Sequence, residues 1–160
     1  MSAAARRSLR EACEEDHLFL KKVFFSARQR VFAAANLSPS EQEKVLEQQF
    51  TAQNVGYRAQ SPNADYHVIL IDGERAGRIY VDRREDEIGL MEMTLLPRFR
   101  NQGIGTGLIE ELLTEAGDRG KPVVLYVEHW NPDARRLYQR LGFEEEEDLT
   151  THWKMRWTPP

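Results

Sequence analysis

Residues 88–142 constrain the fold of this chain more than any other stretch. IGLMEMTLL, from Ile88 to Leu96, reads as a strand and ends against Pro97. RNQGIGTGL follows, Arg100 to Leu108, with glycines at 103, 105 and 107. Ile104, Leu108, Ile109, Leu112, Leu113 and Ala116 then fall on one helical stripe, which GDRGKP stops. VVLYV reads as a short buried strand. NPDARRLYQRLG reads as a helix, with Asn131 as cap, Pro132 in the first position and Gly142 just past the end. A β-α-β-α unit of this kind, preceded by hairpin strands, argues for an α/β fold with a mixed sheet.

The hairpin strands lie in YHVILIDGERAGRIYVD, where two β-rich runs flank Asp72-Gly73. Ahead of them, SLREAC suits a short first strand, and the pattern is helical from Glu14 to Ala35, with Leu18, Val23, Phe24 and Val31 at near-helical intervals. NLSPSEQEKVLEQQF starts a second helix. Ser38 caps it, Pro39 takes the first position, and Glu41 completes a capping box. SPNAD and REDE are turns; FEEEEDL and THWKMRW are two closing strands. The expected order is β-α-α-β-β-β-α-β-α-β-β. At 160 residues the chain is long enough for one domain, 1–160, and too short for two ordinary ones.

The formal net charge of -4 argues against a nucleic-acid binder, which would carry a basic face. It suits a cationic partner, or simple solubility. Cys13 is the only cysteine, so no intrachain disulfide forms, as in a reducing cytoplasm. It is expected to be a small buried apolar residue rather than a nucleophile. No run approaches the ~20 apolar residues of a membrane span. MSAAARRSLR lacks an apolar core and reads as a start tail rather than a signal.

The glycine stretch sits where a strand hands over to a helix. A helix start leaves backbone N–H groups unpaired and carries partial positive charge, and glycines let a ligand approach that backbone. This is the recipe for a phosphate or pyrophosphate site, to which Arg98 and Arg100 add charge; the plainer reading is a loop that only turns the chain. A P-loop is ruled out because Gly105 is followed by Thr106 and Gly107, with no lysine. The dinucleotide fingerprint fails because position 108 is Leu and no acid follows at the required distance.

RNQGIG fits Arg/Gln-x-x-Gly-x-Gly/Ala, and in this the chain resembles the GNAT superfamily of N-acetyltransferases. The resemblance extends to Leu95-Leu96-Pro97 before the loop, and to Asn131, Leu137-Tyr138 and Gly142-Phe143 after it. It implies a mixed, mostly antiparallel sheet flanked by helices, and acetyl-CoA as co-substrate. It also implies that the stretch Arg100, Asn101, Gln102, Gly103, Ile104, Gly105 and Thr106 cradles the CoA pyrophosphate. Main-chain groups of Leu95 and Leu96 would contact the pantetheine, with Asn131 and Tyr138 toward the thioester. Asn101 departs from the glycine that many members carry after the arginine; asparagine tolerates the left-handed region better than most residues.

Acyl transfer to an amine needs a neutral nucleophile, a stabilised oxyanion and a protonated or solvated leaving thiolate. Tyr138 is the candidate general acid, and the resemblance gives it that place. It also lies on a helical stripe with Ala134, Leu137 and Leu141, which would make it core. The resemblance implies that main-chain N–H groups around Met93 to Leu95 stabilise the oxyanion. Glu92 is the candidate base, a carboxylate in the middle of an apolar strand; the other reading is a salt bridge or an exposed stretch. Glu128 and His129 are secondary candidates. His17, His67 and His152 show no metal spacing, so no metal is expected. Trp130, Trp153 and Trp157 would line an acceptor pocket or belong to the core.

The expected activity is transfer of an acetyl group from acetyl-CoA to a primary amine by direct attack on the thioester, in the cytoplasm. The acceptor is a small molecule or a peptide, with no nucleic-acid or membrane partner, and a homodimer is possible. The alternative is a catalytically weak acyl-CoA-binding sensor of the same fold.

Overall fold

The computed structural model describes residues 5–160. The first four residues of the expected start tail lie outside the described residues. The tail's remainder enters strand β1 (Arg7–Glu11). The other strands are β2 (Asp65–Ile71), β3 (Glu74–Arg83), β4 (Ile88–Leu95), β5 (Val123–Glu128), β6 (Glu144–Asp148) and β7 (His152–Trp157). The helices are α1 (His17–Ser26), α2 (Gln29–Ala34), α3 (Pro39–Gln60), α4 (Ile104–Asp118) and α5 (Pro132–Arg140). The seven strands form a mixed sheet, as the sequence pattern led us to expect, and their order in it is β1-β2-β3-β4-β5-β7-β6. β1 and β2, β5 and β7, and β6 and β7 pair antiparallel; β4 and β5 pair parallel.

The chain divides into two compact units. One takes in the chain up to Ile79 together with Thr94–Phe99; the other takes in Tyr80–Met93 and Arg100–Pro160. In the first, α1 and α3 bury Val23, Phe24 and Phe50, with the two phenylalanine rings 5.5 Å apart. Val68 and Ile69 of β2 are equally buried. Ser38 caps α3 as expected: its hydroxyl accepts from the Glu41 amide at 3.2 Å, and the Glu41 carboxylate accepts from the Ser38 amide at 3.3 Å. Asp72 and Gly73 both take positive φ, 50° and 81°, the geometry of a tight hairpin turn matched to strand twist.

Three expectations change here. The helix expected from Glu14 to Ala35 is three pieces, a 3-10 turn at Glu14–Asp16 and then α1 and α2. The Ser26 hydroxyl donates to the Val23 carbonyl at 2.7 Å, a local bond that competes with helix continuation at the break. Leu18, at a near-helical interval, is 73% exposed, and α1 buries Phe19, Leu20, Val23 and Phe24 instead. Cys13, expected to be buried, is exposed.

The second unit buries Ile88, Ile109, Val123 and Met155 completely. Its edge strand β6 is five consecutive acids, all exposed. Charge along an edge blunts pairing with other chains. Among the described residues no helix is long and apolar enough to cross a membrane.

Candidate functional site

Four features of the second unit bear on the candidate site. The first is the loop before α4. Asn101 adopts φ 59° and Gly103 φ 82°, so two left-handed residues alternate through the turn. Asn101 thus fits the loop without glycine. Gly103 is the N-cap of α4, and a glycine has no side chain with which to cap. The first intrahelical bond runs from the Gly107 amide to the Gly103 carbonyl at 3.0 Å. The amides of Ile104, Gly105 and Thr106 precede that bond and are geometrically outside the helical ladder. Burial alone pushes the half-buried Arg100 guanidinium down from its ordinary pKa, yet an arginine stays charged at any working pH. Arg98 pairs with Glu74 and lies over the Phe99 ring at 4.4 Å.

The second feature is a parting of strands. β4 and β5 pair at Ile88–Val123, Gly89–Val124 and Leu90–Leu125, and the ladder stops there. β4 continues to Leu95 and β5 to Glu128, where β5 stays paired with β7 throughout. Met91–Met93 and Tyr126–Glu128 therefore border an interruption in the middle of the sheet. Met91, Glu92, Met93 and Thr94, in the middle of this apolar strand, are half-buried.

The third feature is the position of Tyr138. It is the one buried residue of α5, and the end of the helix fixes it. Gly142 takes φ 99°, its amide bonds the Gln139 carbonyl at 3.1 Å, and the Phe143 amide bonds the Tyr138 carbonyl at 3.0 Å. This is a Schellman ending, which normally carries an apolar contact between the residue after the glycine and the helix residue it reaches. Here that contact is Phe143 edge-on to Tyr138, with ring centroids 5.5 Å apart. The Leu-Tyr and Gly-Phe spacing of the sequence is thus the spacing of a helix stop that orients a tyrosine. At the other end of α5, the Asn131 side chain accepts from the Ala134 amide at 3.3 Å, so its carbonyl serves as the helix cap.

The fourth feature is electrostatic. The Tyr138 hydroxyl titrates well above the usual phenol range, because burial disfavours the phenolate and the Glu92 and Glu128 carboxylates repel it. The two carboxylates come from the two strand segments beyond the end of the ladder. Tyr138 and Glu92, chosen separately from sequence, are therefore electrostatic neighbours. His129 is engaged elsewhere. Its ring lies 4.7 Å from Trp153, and its Nε2 sits 2.8 Å from Asp148 Oδ1, out of line for a hydrogen bond, so the contact is ionic when the ring is protonated.

Leu95 and Leu96 belong to the first unit. Both are buried, and the Leu96 amide donates to the Ala76 carbonyl at 2.8 Å. Facing them is a residue that sequence reasoning missed. A Cβ on Gly77 would lie 2.1 Å from the Thr94 carbonyl oxygen and 2.9 Å from Leu95 Cα. Only glycine lets β3 and the end of β4 approach this closely. The signal was a lone glycine inside an otherwise apolar strand.

The second unit thus holds a parallel pair that stops short, a helix beginning on a left-handed glycine and a tyrosine fixed by a helix stop. The chain belongs to the acetyltransferase (GNAT) family, whose profile matches residues 26–143. Among curated proteins it is 33% identical over 90 residues to an uncharacterized N-acetyltransferase of Methanocaldococcus jannaschii, a match covering 51% of this chain and 40% of that one. It is 36% identical over 87 residues to the mycothiol acetyltransferase of Actinosynnema mirum, covering 53% and 28%. The matches thus span less than half the length of these relatives. In fold it resembles the PaiA N-acetyltransferase of Thermoplasma acidophilum, solved in complex with coenzyme A. The TM-score is 0.71 at 20% identity, over 96% of this chain and 99% of that one.

Proposed function

We propose that the chain, acting as a single domain over 1–160, is an N-acetyltransferase that moves an acetyl group from acetyl-CoA to a primary amine by direct attack on the thioester. One observation carries the reading: Tyr138 feels one carboxylate from each of the two strands that part beyond Leu90. An opening between parallel strands takes a linear thioester arm, and a buried hydroxyl beside it meets the sulfur.

The Arg100–Thr106 segment holds the CoA pyrophosphate through main-chain N–H groups, with Gly103 and Gly105 as points of close approach. Main-chain groups at Leu95 and Leu96 accompany the pantetheine, and Asn131 stands near the thioester end. The amine nitrogen attacks the carbonyl carbon, the C–N bond forms and the C–S bond breaks. The proton released by the nitrogen passes to Glu92, directly or through water, and the thiolate finally takes up one proton. Tyr138 contributes by donating a hydrogen bond to the sulfur as its charge develops. Its raised pKa keeps the phenol protonated, and complete transfer to a thiolate whose own pKa is about 8.5 is uphill.

The test is CoA release across an amine panel, beside calorimetry with acetyl-CoA. Heat with acetyl-CoA together with amine-dependent CoA release supports the reading. Binding without release for any amine leaves an acyl-CoA sensor. No heat at all removes the coenzyme from the account.

A further inference from the structure

The turn between β5 and α5 is fastened to the β6–β7 hairpin through one residue. The Asn131 amide donates to the Glu128 carbonyl at 2.9 Å, so Glu128–Asn131 is a tight turn with His129 second in it. The His129 amide donates to the Thr151 carbonyl at 3.0 Å, one step beyond the last β5–β7 pair, Glu128–His152. The hairpin end is itself closed, since the Leu149 amide donates to the His152 carbonyl at 2.8 Å. Val127, Trp153 and Asp148 form one row across β5, β7 and β6, and directly paired residues share a face. The His129 side chain reaches two members of that row. Its ring centroid lies 4.7 Å from that of Trp153, and its Nε2 lies 2.8 Å from Asp148 Oδ1. Helix α5 rests on the same tryptophan. The Arg135 guanidinium lies 4.4 Å over the Trp153 ring and donates to Glu145 of β6 at 3.0 Å.

We propose that His129 is a positioning residue for acetyl transfer: its ring, held by Trp153 and Asp148, fixes the Glu128–Asn131 turn and with it the start of α5. The inference rests on the acetyltransferase reading and adds to it a residue that acts through others. The turn carries a group of the site at each end. The charge of Glu128 bears on Tyr138, and Asn131 caps the helix on which Tyr138 stands. A misplacement of about 1 Å at reacting groups costs ~10²-fold in rate, so a turn free to rock would reach the chemistry without touching a substrate. The ring contact outweighs the charge in this arrangement. The side chains of His129 and Asp148 are 35% and 65% exposed, so water screens their ion pair, and Nε2 is out of line for a hydrogen bond. The contact with Trp153 needs no charge at all.

The test uses the full chain and follows CoA release from acetyl-CoA with the amine of the panel that the wild type acetylates fastest, well below every thermal midpoint. His129→Ala is expected to lower kcat by about tenfold or more. The acetyl-CoA Kd by calorimetry should move by less than about twofold, because the Arg100–Thr106 loop is untouched. His129→Phe keeps an aromatic ring against Trp153 and is expected to recover most of the lost rate. Asp148→Asn should cost about threefold or less, and adding it to His129→Ala should cost nothing further, because both act through one contact. His129→Gln, of similar length but without a ring, replaces the alanine variant if that one does not fold. An unchanged kcat in His129→Ala, a phenylalanine variant as slow as the alanine one, or a Kd that weakens in step with kcat overturns the inference while acetyl transfer stands. Acetyl-CoA binding by the wild type without CoA release for any amine overturns the acetyltransferase reading and this inference with it.

Discussion

Asp16 in the first unit and Tyr138 in the second are buried polar groups of opposite design. In the first, Asp16 is 2% exposed and fully engaged. The two terminal nitrogens of Arg10 donate to it at 2.9 Å each, Arg75 at 3.2 Å and the Cys13 amide at 2.9 Å. Arg10, outweighing the opposing effect of burial, holds the Asp16 carboxyl well below the usual carboxylate range. In the second, Tyr138 is also buried, but the charges around it are carboxylates, and its ionised form is disfavoured twice over. A buried group whose neighbours complete it ties elements together. One whose neighbours oppose its charge is a candidate for chemistry, because binding a partner there changes the balance.

The sharpest way to break this contrast is to remove each group's polarity. Tyr138→Phe keeps the ring against Phe143 and loses only the hydroxyl. It is expected to slow kcat by ~10²-fold or more, as for loss of a positioned hydrogen-bond donor to developing charge, while acetyl-CoA affinity by calorimetry stays nearly intact. An unchanged rate would move Tyr138 into the core, the alternative its helical stripe always allowed. Asp16→Asn should do the reverse, leaving turnover at low temperature alone and lowering stability by ~2 kcal/mol in urea titrations. That is less than for a wholly buried pair because Arg10 and Arg75 are 39% and 43% exposed and water screens them. Since the folded carboxyl titrates below its unfolded value of about 3.9, its stabilisation is complete above that pH and fades as pH falls further. The gap between wild type and Asp16→Asn should therefore be full at neutral pH and shrink toward pH 3.

A smaller effect is expected at the loop. A Cβ on Gly103 meets nothing within 4 Å, so Gly103→Ala strains the chain only through its φ of 82°. The expected cost is ~1 kcal/mol, read as a lower thermal midpoint and a several-fold weaker acetyl-CoA dissociation constant. Loss of stability without loss of affinity would make the loop a turn and nothing more. This loop was legible in the sequence, because glycines and a following helical stripe are local signals. So were the Ser38 cap, the Asp72-Gly73 hairpin and the Gly142 stop, each of which depends on residues within a turn of one another. The parting of β4 from β5 was not legible, since it depends on two strands whose paired residues, such as Ile88 and Val123, are far apart in the chain. Nor was the charge of Glu128 acting on Tyr138, or the closeness of Gly77 to Thr94. The break between α1 and α2 was missed for another reason: the apolar spacing continues across it, and only the Ser26 hydroxyl marks it.

The smallest expected effect separates two arginine–carboxylate pairs of the first unit. Arg98 and Glu74 form an ion pair like Arg10 and Asp16, but their side chains are 60% and 56% exposed. Exposed pairs gain little because water screens the charges and two long side chains lose freedom to meet. Arg98→Ala should change stability by about 0.5 kcal/mol or less, and that small loss should vanish in high salt. The same variant bears on the second unit. The sequence alone put Arg98 beside the phosphate loop, whereas its partner in the structure is Glu74. Acetyl-CoA affinity should therefore shift by less than about twofold, well under the tenfold that 1.4 kcal/mol of lost binding would give. A tenfold loss would mean that Arg98 leaves Glu74 when the coenzyme arrives, and that the difference between a holding pair and a working one is made by the ligand and not by burial.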